Sequence, residues 1–189
     1  MKKKKIYRAL GLMSGTSMDG VDASIVCSSD GKNYISTGNE NQYFEYDKYL
    51  YQRLTNLRDK ITSSKDLEKY CQELKSIEKE ITLFHAKVAN VMIKATPEWE
   101  PDIIGLHGQT IFHNSDKKLS VQLGDGKLLS QLTKKTVIYE FRNNDLKNGG
   151  QGAPLTPIFH QHLARKLSDK SWPVLVLNIG GISNVTSIS

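Results

Sequence analysis

The sequence predicts an α/β protein, a mixed sheet flanked by helices with the start of a second, similar unit at its end. Three observations predict it. Short apolar runs of strand length alternate with segments whose apolar residues recur every three or four positions. Polar, glycine-rich tips follow the apolar runs, as ligand-binding loops do in open α/β sheets. A strand, a glycine–hydroxyl turn and a second strand occur near each end of the chain.

The first apolar run, Ile6 to Leu12, reads as a buried strand, and Val21–Val26 alternates as a second. Between them "GLMSGTSMDG" (residues 11–20) forms the tip of a hairpin. Glycine there lets a ligand approach the backbone, and free N–H groups beside small hydroxyls make an anion-binding concavity. A tight turn with polar decoration is the competing reading. The polar stretch "SSDGKNYISTGNENQ" carries a turn at Asp30-Gly31. A helix follows over about Asp47–Leu57.

A longer helix is expected from Ser64 to Ala95. Its apolar face comprises Leu67, Tyr70, Cys71, Leu74, Ile77, Ile81, Phe84, Val88, Val91 and Met92. Ser63 or Ser64 caps it and Pro97 ends it. His85 lies beside this face and reads as a structural histidine. Ile103–Leu106 is a short strand ending in "HGQT", and Leu119–Leu123 a strand ending in "GDG". Lys127–Leu132 is a short helix and Val137–Tyr139 a strand, followed by "EFRNNDLKNGGQGAP". Pro154 opens a helix running to Leu167. Val174–Leu177 is an all-apolar strand ending in "NIGGISN".

The 189 residues, 38% hydrophobic, contain no apolar stretch long enough to span a bilayer. The opening "MKKKKIYRALGLMSG" lacks the apolar core of a secretory signal. Cys27 and Cys71 are far apart and show no metal spacing, so they read as reduced core thiols of a cytoplasmic protein. Of the net charge of +6, Lys2–Lys5 supply four charges and read as a solvated N-terminus. Elsewhere basic and acidic residues are interleaved, which argues against nucleic-acid binding.

Five blocks carry a more specific signal: "GLMSGTSMDGVDASIV", "IIGLHGQTIFH", "VQLGDG", "FRNNDLKNGGQGAPLTPIFH" and "LNIGGISN". Together and in this order they resemble the anhydro-N-acetylmuramic acid kinase family. The resemblance implies an actin-like (ribonuclease H-like), two-lobed ATPase and sugar-kinase fold, with residues 1–170 as the first lobe and 171–189 as the first strands of a second. It implies a chain that is the N-terminal part of a longer protein. The activity it implies uses ATP, Mg²⁺ and water to open 1,6-anhydro-N-acetylmuramic acid and phosphorylate it to N-acetylmuramic acid 6-phosphate, in recycling of the bacterial cell wall. ATP and an anhydro-amino sugar are the partners it implies, no membrane is among them, and a homodimer is left open. The alternatives are a non-catalytic lobe that binds a sugar or protein, and an actin-like ATPase.

By this resemblance Gly15, Thr16, Ser17, Met18, Asp19, Gly20, Val21 and Asp22 match the ATP-binding stretch. Asp19 and Asp22 are the candidates to hold Mg²⁺, with an Asx-turn as the rival role for Asp19. Asp145 matches the catalytic carboxylate that takes a proton from the attacking water, and Arg142 pairs with it or with substrate. His107, Gln109 and Thr110 sit at a strand tip facing the sugar, with a structural His107 as the rival reading. Gly149, Gly150 and Gln151 close over the base and lead into a helix whose N-terminus suits the lactyl carboxylate. Asn178, Gly180 and Gly181 form the second nucleotide hairpin. One departure stands out: Glu140 occupies a position that is usually aspartate in the family.

Overall fold

The computed structural model describes residues 6–28, 34–35, 41–167, 173–179 and 183–189. The lysine run at residues 2–5, the Asp30-Gly31 turn and the pair Gly180–Gly181 lie outside the described residues. β1 (Tyr7–Ser14) and β2 (Gly20–Ser28) form the expected antiparallel hairpin, with Leu10 opposite Ile25 and Met13 opposite Asp22. Alternation is the cause. Leu10, Leu12 and Ser14 on one strand and Val21, Ala23, Ile25 and Cys27 on the other point into the core. β3 (Tyr34–Ile35) and β4 (Asn41–Glu45) extend the same edge by pairing with β2.

Asp47 caps α1 (Lys48–Lys60) by accepting from the Leu50 N–H at 2.8 Å, a contact typically worth about 1 kcal/mol. The helix lays Leu50, Leu54 and Leu57 on the sheet. The single helix expected over residues 64–95 is two: α2 (Ser64–Lys69) and α3 (Cys71–Ala95), joined at Tyr70, whose φ of −104° and ψ of 21° leave the helical region. The Lys60 and Lys69 ammonium groups lie 5.5 and 5.0 Å from the Tyr70 ring centre. Hydrogen bonds Tyr70 N–H to Asp66 O and Leu74 N–H to Tyr70 O continue across the joint, so the apolar period runs on unbroken. Cys71 and Val91 are corrections to the expected core. Cys71 opens α3 exposed to solvent and Val91 is 40% exposed, whereas Cys27 is buried in β2.

β5 (Ile103–Asn114) is three times the expected strand. Its first residues pair parallel with β1, and residues 103–105 also pair parallel with β7 (Thr136–Ile138). Its second half pairs antiparallel with β6 (Leu119–Leu123). α4 (Gly126–Thr133) joins β6 to β7, with Asp125 accepting from the Lys127 and Leu128 N–H groups. The core between this sheet and α1, α3 and α4 includes Leu54, Ile77, Ile81, Met92, Ile104, Leu106 and Leu129.

"FRNNDLK", expected as part of a loop, is a short helix, α5 (Phe141–Lys147). The helix expected from Pro154 is α6 (Pro157–Arg165). Two prolines cannot both take the first helical position, where the missing N–H costs nothing, and Pro157 takes it. β8 (Val174–Asn178) and β9 (Asn184–Ile188) make a separate antiparallel hairpin, Asn178 opposite Asn184. α6 packs on β9, where His160 Nδ1 and Thr186 Oγ1 are 2.9 Å apart. The other face of this hairpin leaves Leu175, Leu177 and Val185 more than half exposed, at 65%, 63% and 60%. Among the described residues no helix is long and apolar enough to cross a membrane.

Candidate active site

β7 leaves β5 at Gly105 and β6 joins it at Gln109, so Leu106, His107 and Gly108 lie between the two pairings. On the other side, the register against β1 jumps from Leu12–Leu106 to Met13–Gly108. His107 is therefore the extra residue of a bulge, a device that re-aims a side chain. "HGQT" is thus not a strand tip but the middle of a strand, because β6 supplies hydrogen-bonding partners beyond the bulge.

The bulge sends consecutive side chains to different tasks. His107 turns toward α5, where its Nε2 is 2.9 Å from Arg142 Nε. Arg142 only donates, so His107 Nε2 accepts and the ring proton sits on Nδ1, which donates to Gly108 O at 2.6 Å. Burial first, and the Arg142 charge second, bring the His107 pKa down to about 4, which keeps the ring neutral. Gln109 is fully buried, with Oε1 2.5 Å from Ser14 Oγ and Nε2 2.9 Å from Gly15 O. A direct contact to sugar from Gln109 is thereby corrected: its amide is used inside the protein. Thr110 accepts from Gln122 Nε2 at 3.3 Å and lines neither of the larger cavities described below.

The loop after β1 is a turn closed by the Met18 N–H on Gly15 O at 3.2 Å. Met18 and Val21 are buried, 2% and 0% exposed, so their side chains hold the loop down rather than face a ligand. Gly20 is buried under Tyr43 and Phe44 O, with no room for a Cβ. Gly15 differs: a Cβ there meets nothing nearer than Ser17 Oγ at 3.8 Å. Gly15, Thr16, Ser17 and Asp22 line a cleft of about 660 Å³ together with Met13, Arg142 and Asn178. Asp19 is not part of that lining. Its Oδ1 accepts from Ser17 Oγ at 2.6 Å, and with burial it helps push the Tyr43 phenol up.

Arg142 ties the two halves of the site together, since its Nη1 also donates to Gly152 O at 2.7 Å. One turn further along α5, Asp145 Oδ2 accepts from the Gly152 N–H at 2.8 Å, and Asp145 O accepts from Gly150 N–H at 2.9 Å. Gly150 packs directly on the Asp145 carboxylate, leaving no space for a Cβ. Asp145 lines a second cavity of about 610 Å³, walled by His107, Phe141, Asn148, Leu155 and Phe159. Leu155 and Thr156, just before α6, line both cavities. Gly149 and Gln151 are exposed and line neither.

Glu140 caps α5 with a left-handed φ of 60° and faces a third, smaller cavity beside Glu78, Asp125 and Lys127. It does not reach the Asp145 pocket. Sequence reasoning missed Asn184, which lines the 660 Å³ cleft and whose buried Oδ1 has no protein partner. Its place at the end of "NIGGISN", the block that begins with Asn178, was the available signal. Among the described residues no three His, Cys, Asp or Glu side chains converge as a metal cage. Asp22, exposed beside the Thr16 and Ser17 hydroxyls, fits the one or two carboxylates with which Mg²⁺ is usually held next to phosphate.

A family model described as anhydro-N-acetylmuramic acid kinase matches residues 7–189. Proteins named anhydro-N-acetylmuramic acid kinase are similar along nearly the whole chain. That of Pelagibacter ubique (strain HTCC1062) is 54% identical over 185 residues, 98% of this chain and 48% of the relative. That of Rhizobium etli (strain ATCC 51251 / DSM 11541 / JCM 21823 / NBRC 15573 / CFN 42) is 40% identical, covering 97% and 50%. That of Gluconobacter oxydans (strain 621H) is 42% identical over 178 residues, covering 94% and 47%. The chain spans about half the length of these curated relatives.

Proposed function

Since this chain belongs to the anhydro-N-acetylmuramic acid kinase family, we propose that it forms one wall of the active site of an ATP-dependent kinase acting on 1,6-anhydro-N-acetylmuramic acid. The observation that carries this reading is a single cleft lined by three distant segments. These are the glycine–hydroxyl loop (Gly15, Thr16, Ser17), the α5 block (Arg142, with Pro154 and Thr156 beyond it) and the second hairpin (Asn178, Asn184). The adjoining pocket with Asp145 shares Leu155 and Thr156 with it, so a donor phosphate and an acceptor sugar are neighbours.

The chain's own groups divide the work. Backbone amides and hydroxyls of residues 15–17 hold the polyphosphate, as such nests do. Asp22 holds Mg²⁺ beside it; when bound, the ion neutralises charge on the phosphate oxygens. Phe141, Leu155 and Phe159 give the sugar an apolar wall, with Asn144 and Asn148 supplying polar contacts. Asp145, its carboxylate fixed by the Gly152 N–H, takes a proton from water as the water oxygen bonds to the anomeric carbon. The bond from that carbon to the 6-oxygen breaks, and the 6-oxygen takes the γ-phosphoryl group of ATP, releasing ADP. The product is N-acetylmuramic acid 6-phosphate, consistent with a role in cell-wall recycling.

Incubation of the full-length protein with ATP, the anhydro sugar and ¹⁸O-water tests the reading. It expects ADP and a sugar phosphate carrying one ¹⁸O on the anomeric carbon. ADP release without sugar, or a phosphorylated sugar with the anhydro ring intact, contradicts it.

A further inference from the structure

Gln109 is the one fully buried polar side chain of β5, in a strand whose other buried side chains are aliphatic. A buried amide is costly unless its donors and acceptor are matched, and here the matching is specific. Gly15 O carries no hydrogen, so the Gln109 atom 2.9 Å away must be the Nε2 donor. That orientation turns Oε1 onto Ser14 Oγ. The single Ser14 hydroxyl hydrogen lies between Gln109 Oε1 at 2.5 Å and Gly20 O at 2.9 Å. Ser14 Oγ in turn accepts from the Tyr46 hydroxyl at 3.0 Å. Burial pushes the Tyr46 phenol up, so its proton stays in place for that bond.

Gly15 O and Gly20 O bracket the loop 16–19, so the network grips both ends of it from beneath. Tyr46 N–H adds a third grip on Asp19 O at 2.8 Å. The loop's upper side, Thr16 and Ser17, is exposed on the cleft. We infer that Gln109 is a positioning residue for the phosphate loop: it touches no ligand, but through Gly15 O and Ser14 it fixes the direction in which the amides and hydroxyls of residues 15–17 point. This rests on the nucleotide reading above and replaces the sugar contact that the sequence suggested for Gln109.

The test uses full-length wild-type protein, Gln109→Leu and Tyr46→Phe. Each is titrated calorimetrically with a non-hydrolysable ATP analogue, assayed for KM with ATP and with the anhydro sugar, and measured for amide hydrogen exchange at residues 15–20 without ligand. Gln109→Leu is expected to weaken analogue binding and raise KM for ATP by about tenfold or more, with KM for the sugar within about twofold. Exchange in the loop accelerates while that in α3 is unchanged. Tyr46→Phe shifts the same readouts by a smaller factor. A folded Gln109→Leu protein with wild-type ATP affinity and loop exchange overturns the inference. So does loss of sugar affinity with ATP affinity intact. Where Gln109→Leu does not fold, Tyr46→Phe, which removes a single oxygen, decides by the same readouts. A wild-type protein that binds no analogue overturns the nucleotide reading and this inference with it; failure of the clamp alone shows instead as wild-type loop exchange in the variants.

Discussion

Arg142 Nε donates to His107 Nε2 at 2.9 Å, so the guanidinium that lines the cleft is aimed by a neutral imidazole. A protonated His107 has no lone pair to offer and would repel Arg142. His85, behind it in α3, is fully buried, donates from Nδ1 to Ile81 O at 2.8 Å, and is held by burial at a pKa of about 4.

The pH dependence of stability follows. Both histidines bind protons less readily folded, with pKa values of about 4, than their ordinary value of 6.5. Between those values the unfolded chain holds more protons, so stability falls as pH drops from about 6.5 toward 4 and is unaffected by these groups above that window. The loss is on the order of 3 kcal/mol per histidine. Urea midpoints from neutral pH down to about pH 4.5 measure it, and a His107→Gln variant should show a shallower fall. Parallel curves for the two proteins would remove His107 from this account.

Asp145→Asn should lower turnover of the anhydro sugar by about 10²-fold or more while ATP-analogue binding stays near wild type. The amide oxygen can still accept from Gly152 N–H, so the local structure persists and only basicity is lost. Near-normal sugar phosphorylation by this variant would assign the base elsewhere.

Gly150→Ala reaches the same carboxylate by geometry alone. The new methyl collides with the Asp145 carboxylate and has to move it. The expected result is a fall in kcat for the sugar without a matching change in ATP affinity. Steady-state kinetics on both substrates check it, and unchanged kcat would mean that Asp145 adapts without consequence.

Two glycines of the first loop should separate binding from folding. Gly15→Val places its side chain in the cleft, where a phosphate would approach, and costs little in packing. Thermal melting should stay near wild type while ATP-analogue affinity drops sharply. Gly20→Ala strikes Tyr43 and Phe44 O and should instead lower the melting temperature. The reverse pattern, with Gly15→Val unstable and still binding, would contradict the loop's assignment.

The hairpin of β1 and β2, β6, and α4 were legible because alternation and capping are local signals, and their bounds lie within a few residues of expectation. The extent of β5 was not. Its polar second half reads as a loop until β6 is known to lie beside it. α5 was hidden for a related reason, since "FRNNDLK" buries only Leu146 and has no apolar stripe to reveal it. Around the candidate site, the direction of each side chain was not legible. Met18, Val21 and Gln109 face inward, which depends on register rather than on residue type.

The bulge at His107 acts as a parity switch. Before it, even-numbered residues, Ile104 and Leu106, face the core; after it, the odd-numbered Gln109 and Ile111 do. The strand therefore carries two reading frames joined by one surplus residue. Deleting a single residue at 107 or 108 would join the two frames into one regular alternation: Gln109 would follow Leu106 by two positions, and Gln109 and Ile111 would keep their places in the core. What such a deletion would remove is the surplus residue that turns His107 toward Arg142, so the bulge serves the site and not the core.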